Sequence, residues 1–174
     1  SYYDATNLDL KFASRAAGAA SFLPQAIDTA GSVGSQTAIA LGPDGEPRVA
    51  YYAATGTALK LARRSGGSTW SLTTVDTGLG VGPIPSIGVL PNGTELIAYN
   101  VRRCTSACTS TAPVYTYDLE IASRLLDGGF GKQRVEDVGT NGIQTAFAVD
   151  SAGMAHVIYF DSSNQDLRHA FRCP

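Results

Sequence analysis

The sequence predicts an all-β protein, a β-propeller built from four-stranded antiparallel blades, and three observations lead there. The first is a segment that recurs four times: SYYDATNLDLKFAS at Ser1–Ser14, AYYAATGTALKLAR at Ala50–Arg63, a split copy at Ala98–Asn100 and Tyr117–Ser123, and IYFDSSNQDLRHAF at Ile158–Phe171. Copies start near residues 1, 50, 98 and 158, and about 12 extra residues inside the third copy account for the longer last interval. The second is the punctuation between apolar runs, where Gly42-Pro43-Asp44-Gly45, Pro91-Asn92-Gly93 and Asp150-Ser151-Ala152-Gly153 hold equivalent places. Asp-Gly and Asn-Gly there predict hairpins, read as type I′ turns with φ > 0 at both central positions. The third is that no window of 11 or more residues carries a helical apolar period; Phe12–Phe22 is Ala-rich but overlaps a strand and its turn.

Each repeat divides into strands A to D. In the second repeat these are Thr37–Leu41, Arg48–Ala53, Ala58–Arg64 and Thr69–Val75; in the third, Ser86–Leu90, Glu95–Asn100, Tyr117–Arg124 and Gly131–Val135. Blades pack face to face, so both faces of a strand are buried, which explains nearly continuous apolar runs such as His156–Phe160. Ala13, Ala62, Ala122 and Ala170 share one repeat position and permit close approach. Residues 1–174 read as one propeller segment of strands B-C-D, A-B-C-D, A-B-C-D and A-B-C, about three and a half blades. Bare edges and apolar faces at either end lead us to expect completion to about seven blades by a second chain or a homo-oligomer.

Composition narrows the partners. The net charge is −2 and no Lys/Arg run exceeds two residues, so the basic stripe that phosphate neutralisation needs is missing and nucleic acid is not an expected partner. No apolar stretch approaches 18 residues, so no membrane span is expected. Cys104 and Cys108 are separated by three residues within the insertion RRCTSACTSTAP, with no His or further Cys close by to complete a metal site; a disulfide is the expected state, and with it a secreted, periplasmic or cell-surface location. Cys173 is left over, either a free thiol or an inter-chain bridge.

The repeat pattern (D/N)G-x-x-x-(V/I)-x-Y-(Y/F)-D-x-(T/S)-N-x-D-L-(K/R)-x-A resembles the repeats of bacterial secreted β-propellers related to the sialidase-type, Asp-box propellers, over essentially the whole chain. The Asp-box is only echoed: Ser65-Gly66-Gly67-Ser68-Thr69-Trp70 keeps Gly-x-Thr-Trp but has Ser65 in place of Asp, and Asp127-Gly128-Gly129 restores the Asp without Thr-Trp. The resemblance implies fold and not activity.

Candidate chemistry divides by whether it repeats. Arg15, Arg64, Arg124 and Arg172 recur four residues after Lys11, Lys60, Glu120 and Arg168; they read as blade anchors, or as a ligand-binding ring able to clamp carboxylates. Asp4 and Asp161, with Asn7 and Asn164, flank the B–C turn, where turn chemistry outweighs an acid–base or cation-binding role. His169 stands where the other copies have Phe12, Leu61 and Ile121, which predicts a packed position, and His156 matches Arg48 and Leu96. Neither histidine lies near a Gly-x-Ser-x-Gly turn. Tyr2, Tyr51, Tyr99 and Tyr159 share a strand-B position that reads as core. The feature that breaks the repeat is the insertion loop 101–116 with Arg102, Arg103 and Tyr115, the favoured ligand-binding surface. No catalytic residue, cofactor or metal is assigned. The expected function is a secreted, non-catalytic, lectin-like recognition or scaffold module for a carbohydrate, protein or small ligand. The alternatives are a sialidase-like glycoside hydrolase, or one chain of it, and a purely structural assembly subunit.

Overall fold

The computed structural model describes residues 1–106, 108–109, 111, 114–136 and 141–172. The described chain is all-β, with no helix among these residues, so none is long and apolar enough to cross a membrane. Its strands form four antiparallel sheets of three or four strands. The first sheet holds β1 (Tyr2–Asp4), β2 (Asp9–Ser14) and β3 (Leu23–Asp28); the second β4 (Val33–Leu41), β5 (Pro47–Ala53), β6 (Ala58–Arg64) and β7 (Trp70–Thr77). The third holds β8 (Ser86–Val89), β9 (Glu95–Ser106), β10 (Val114–Arg124) and β11 (Phe130–Arg134); the fourth β12 (Asn141–Val149), β13 (Ala155–Asp161) and β14 (Asp166–Arg172). Every pairing joins strands adjacent in sequence, so each sheet is a simple meander.

The sheets stack in series, and each junction has its own apolar layer. Leu10, Val33, Val49, Tyr51 and Ala62 fill the first junction; Ala50, Leu59, Leu61, Ile97, Tyr99 and Ala122 the second; Leu96, Ala98, Leu119, Ile121, Val157 and Tyr159 the third. Alternation along β5 and β9 sends successive side chains into different layers, so Val49 and Ala50 are both fully buried, as are Ile97 and Ala98. Strands β1, β4, β8 and β12 touch in series. Hydroxyl pairs Ser1–Thr37 (2.7 Å) and Ser86–Thr145 (2.8 Å) link them at two of the three steps. Gly88 belongs to this inner edge because a Cβ there would run into the Phe147 ring.

The hairpin turns differ from expectation in type. Asp44 and Asn92 do not take positive φ; Gly45 and Gly93 do, at 75° and 87°. The backbone closes as Gly93 N–H to Leu90 O, 2.8 Å, and Leu90 N–H to Thr94 O, 2.9 Å, with the same pattern at Gly42–Glu46, Leu125–Gly129 and Asp150–Met154. These are three-residue loops in which a type I turn is followed by a left-handed residue. At two of them Pro43 and Pro91 stand at the first turn position, where their rings hold φ near −65° and exclude type I′.

Candidate functional site

The geometry of the B–C turn is built by its acids. Asp4 Oδ1 accepts the Thr6 N–H (3.0 Å) and Asp161 Oδ1 the Ser163 N–H (2.9 Å), while each Oδ2 takes the Asn7 or Asn164 amide at 2.8 Å. Asp161 is held below the usual carboxylate range, first by the Asn164 amide and then by the turn's backbone N–H groups, which outweigh its burial. These carboxylates are committed to the turn.

A second repeated device crosses the sheet junctions. Tyr51 donates to Asp28 (2.7 Å), Tyr99 to Asp76 (2.8 Å) and Tyr159 to Glu136 (2.6 Å), always across 23 residues. Each acid lies at or just beyond the outer strand of one sheet and each tyrosine on the next sheet, so the pair locks neighbours together. A strand-C cation completes it at the first and third junctions: Lys60 Nζ lies 2.6 Å from Asp28, and Arg168 pairs with Glu136. Burial raises Asp28, but the bonds from Lys60, Tyr51 and the Ala30 N–H outweigh it and leave the carboxyl below its ordinary value.

The second junction breaks this rule. Glu120 occupies the position of Lys60 and Arg168, so a carboxylate faces the Asp76 carboxylate with the Tyr99 hydroxyl between them, 2.8 Å from Asp76 and 3.1 Å from Glu120. A phenol has one proton, and the shorter distance directs it to Asp76. The cations come from elsewhere: Lys132 of β11 pairs with Asp76, and Arg103 pairs with both Glu120 and Asp118, its Nε lying 2.7 Å from Asp118. Arg134 Nε lies 3.2 Å from Asp118. Tyr99 is held far into the protonated form, by burial first and by Asp76 and Glu120 next. Asp76, Arg103, Glu120 and Lys132 line a cleft of about 390 Å³ with Gly80, Val81 and Val101.

The insertion builds the wall of that cleft. It is no irregular loop: β9 and β10 continue their ladder outward through Asp118↔Val101 and Tyr115↔Cys104 to Val114↔Ser106. Near its tip Cys104 and Cys108 form the expected disulfide. The segment Gly78–Gly82 is strapped along β9 by Gly82 N–H to Asn100 O and Arg102 N–H to Gly80 O, both 2.6 Å. A Cβ on Gly80 would overlap the Arg102 carbonyl, so glycine is required for this approach.

Of the residues read from the sequence, Arg102 and Tyr115 come together, the guanidinium 4.4 Å from the ring centroid, on the half-exposed flank of the hairpin. Arg103 enters the cleft. The recurring arginines do not converge on one point: Arg15 lies over Phe22, Arg64 donates to Gly67 O at 2.6 Å, Arg124 lies over Phe130 with Nε 4.0 Å from Glu95, and Arg172 donates to Ser123. Arg124 and Arg172 line a common cleft of about 300 Å³. The expectation of a packed His169 is corrected: the ring is exposed and stacks on His156, because no further sheet covers that face of β14 in this structure. Cys173 lies outside the described residues.

Sequence reasoning missed Asp76, Lys132 and the strap. The signal was Glu120, the one acid in a column otherwise occupied by Lys11, Lys60 and Arg168. No known protein-family model matches the chain, and no curated protein matches it.

Proposed function

We propose that the four sheets are blades of a β-propeller related to the secreted sialidase-type propellers, closed by a second chain or copy, and that the molecule is a non-catalytic recognition module. Its ligand site is the cleft at the second junction together with the Arg102–Tyr115 flank of the hairpin, and the ligand class that suits it best is a carbohydrate. The observation that carries this reading is the broken repeat at Glu120. Two junctions are closed by a strand-C cation on the Tyr–carboxylate pair, whereas this one has Glu120 in that place, with opposed carboxylates, a cleft and an added hairpin. Carboxylates and cations side by side suit a polyhydroxylated ligand, whose hydroxyls both donate and accept, and an exposed tyrosine offers a stacking face.

The glycoside hydrolase reading has one observation in its favour, the Tyr99–Glu120 pair. Against it, Tyr99 is fully buried and its phenol is held protonated, the reverse of what a nucleophile needs. A glycan array read beside a panel of fluorogenic glycosides tests both. The expected result is glycan binding without turnover, lost in Tyr115→Ala and Glu120→Gln while the melting temperature moves by only a few degrees. Turnover lost in Glu120→Gln would establish the hydrolase instead. Silence in both assays would leave a structural assembly subunit.

A further inference from the structure

The three junctions within the chain are copies of one interface, which makes its open counterparts recognisable. On the face covered by the following sheet, Leu10, Leu59 and Leu119 are fully buried; Leu167, at the same repeat position in the fourth sheet, is 75% exposed. Ala50 and Ala98 are fully buried, and their equivalent Ile158 is 43% exposed. Phe160 and Phe171 stand on the same face, opposite Leu167 and His156 in the register of β13 and β14, and both are exposed. The covering face behaves reciprocally. Tyr51, Tyr99 and Tyr159 are buried against the preceding sheet, whereas Tyr2 is 40% exposed and, among the described residues, its hydroxyl has no hydrogen-bond partner.

We propose that these two open faces are the halves of a fourth such interface, and that the occupant is a second copy of the chain, with the β13–β14 face of one copy docked head to tail on the β1–β2 face of the other. This specifies the closure of the propeller reading above and does not depend on the ligand. The occupant's chemistry follows from the internal junctions. At each internal junction a strand-B tyrosine and a strand-C alanine (Tyr51 and Ala62, Tyr99 and Ala122, Tyr159 and Ala170) pack on the leucine of the preceding sheet, and β1 and β2 offer the same pair in Tyr2 and Ala13. The contact is heterologous, because the surfaces that meet are different ones. Among the described residues the fourth sheet is β12-β13-β14 and offers no counterpart of Asp28, Asp76 and Glu136, so against it Tyr2 packs without the bond its three equivalents make.

Sedimentation velocity on the full chain from about 1 to about 100 μM tests the proposal. The expected result is self-association, weakened at least tenfold by Leu167→Asp and likewise by Tyr2→Asp. Both positions are exposed in the single chain, so circular dichroism should show either variant folded. Mixing the two variants should restore a heterodimer, since one intact face of each kind remains. A wild-type monomer at the highest concentration overturns the proposal. So does loss of association in Leu167→Asp alone, which would mean that the β13–β14 face pairs with itself. Tyr2→Phe should leave association within twofold of wild type; a larger loss would point to a companion chain that supplies a carboxylate. If association fails while glycan binding persists, the closure is wrong and the recognition reading stands.

Discussion

Tyr159 shows how one atom couples two sheets to pH. Burial raises its phenol first and the Glu136 carboxylate raises it further, to about 12, against an ordinary value near 10. The folded state therefore holds this proton more tightly than the unfolded chain does. Stability from the group is complete below about pH 10 and is lost as pH rises through about 12. Tyr51 and Tyr99 are shifted in the same direction and further, so the whole set of locks should fail from the alkaline side. Denaturant unfolding followed from about pH 8 to about pH 12 should show a steady fall in the wild type. Tyr159→Phe should lose about 1.5–3 kcal/mol at neutral pH, the worth of a hydrogen bond to a charged acceptor, yet decline less steeply above pH 10. A variant with an unchanged alkaline slope would show that Tyr159 does not carry this dependence. This lock was not legible in the sequence. The tyrosines were visible as a column, but their acids lie 23 residues upstream on a different sheet, a distance at which repeat alignment marks the position without naming the partner.

Elements that repeat were readable almost to the residue, and those that depart from the repeat were not. Strand β6 matches its expected bounds, Ala58–Arg64, because four copies report on it. The β9–β10 extension reads as loop in the sequence because it interrupts the repeat and no other copy reports on it. Its ladder is held instead by backbone pairing and by Arg103 reaching Asp118 and Glu120, which composition does not disclose. The B–C turn is the element where local strain repeats: Leu8, Thr57 and Gln165 share one position and all take positive φ, 63°, 46° and 58°. A β-branched residue is the poorest of the three there, since its Cβ substituents crowd the backbone in the left-handed region. Thr57→Gly should therefore stabilise the protein by roughly 0.5–1 kcal/mol, the relief of strain exceeding the added flexibility of the unfolded chain. The urea midpoint should rise with no change in slope; a fall would show that the Thr57 side chain supports the turn in a way its backbone angle does not reveal.

At the scale of the whole molecule, the sheets form a one-dimensional series in which each contacts its neighbours. Stability in such arrays is the sum of what each sheet contributes and what each junction contributes. The second and third sheets each have two junctions; the first and fourth have one apiece. The apolar layers reflect this: β5, β6, β9 and β10 contribute residues of zero exposure to both of their faces, whereas β14 is exposed along most of its length. Opening should then proceed from the ends, because detaching an outer sheet breaks one layer and one tyrosine–carboxylate lock, while exposing an inner sheet breaks two of each. Native-state hydrogen exchange at low micromolar concentration should find the slowest amides in β5, β6, β9 and β10 and the fastest strand amides in β1 and β14. Tyr159→Phe should accelerate the fourth sheet selectively and leave β5 and β6 as they were, since its bond belongs to the third junction alone. Raising the concentration should slow β1 and β14 together if their faces meet in a second copy, with little effect on the inner strands. Uniform protection across all four sheets at low concentration would contradict the additive picture and mean that the junctions open as a single unit.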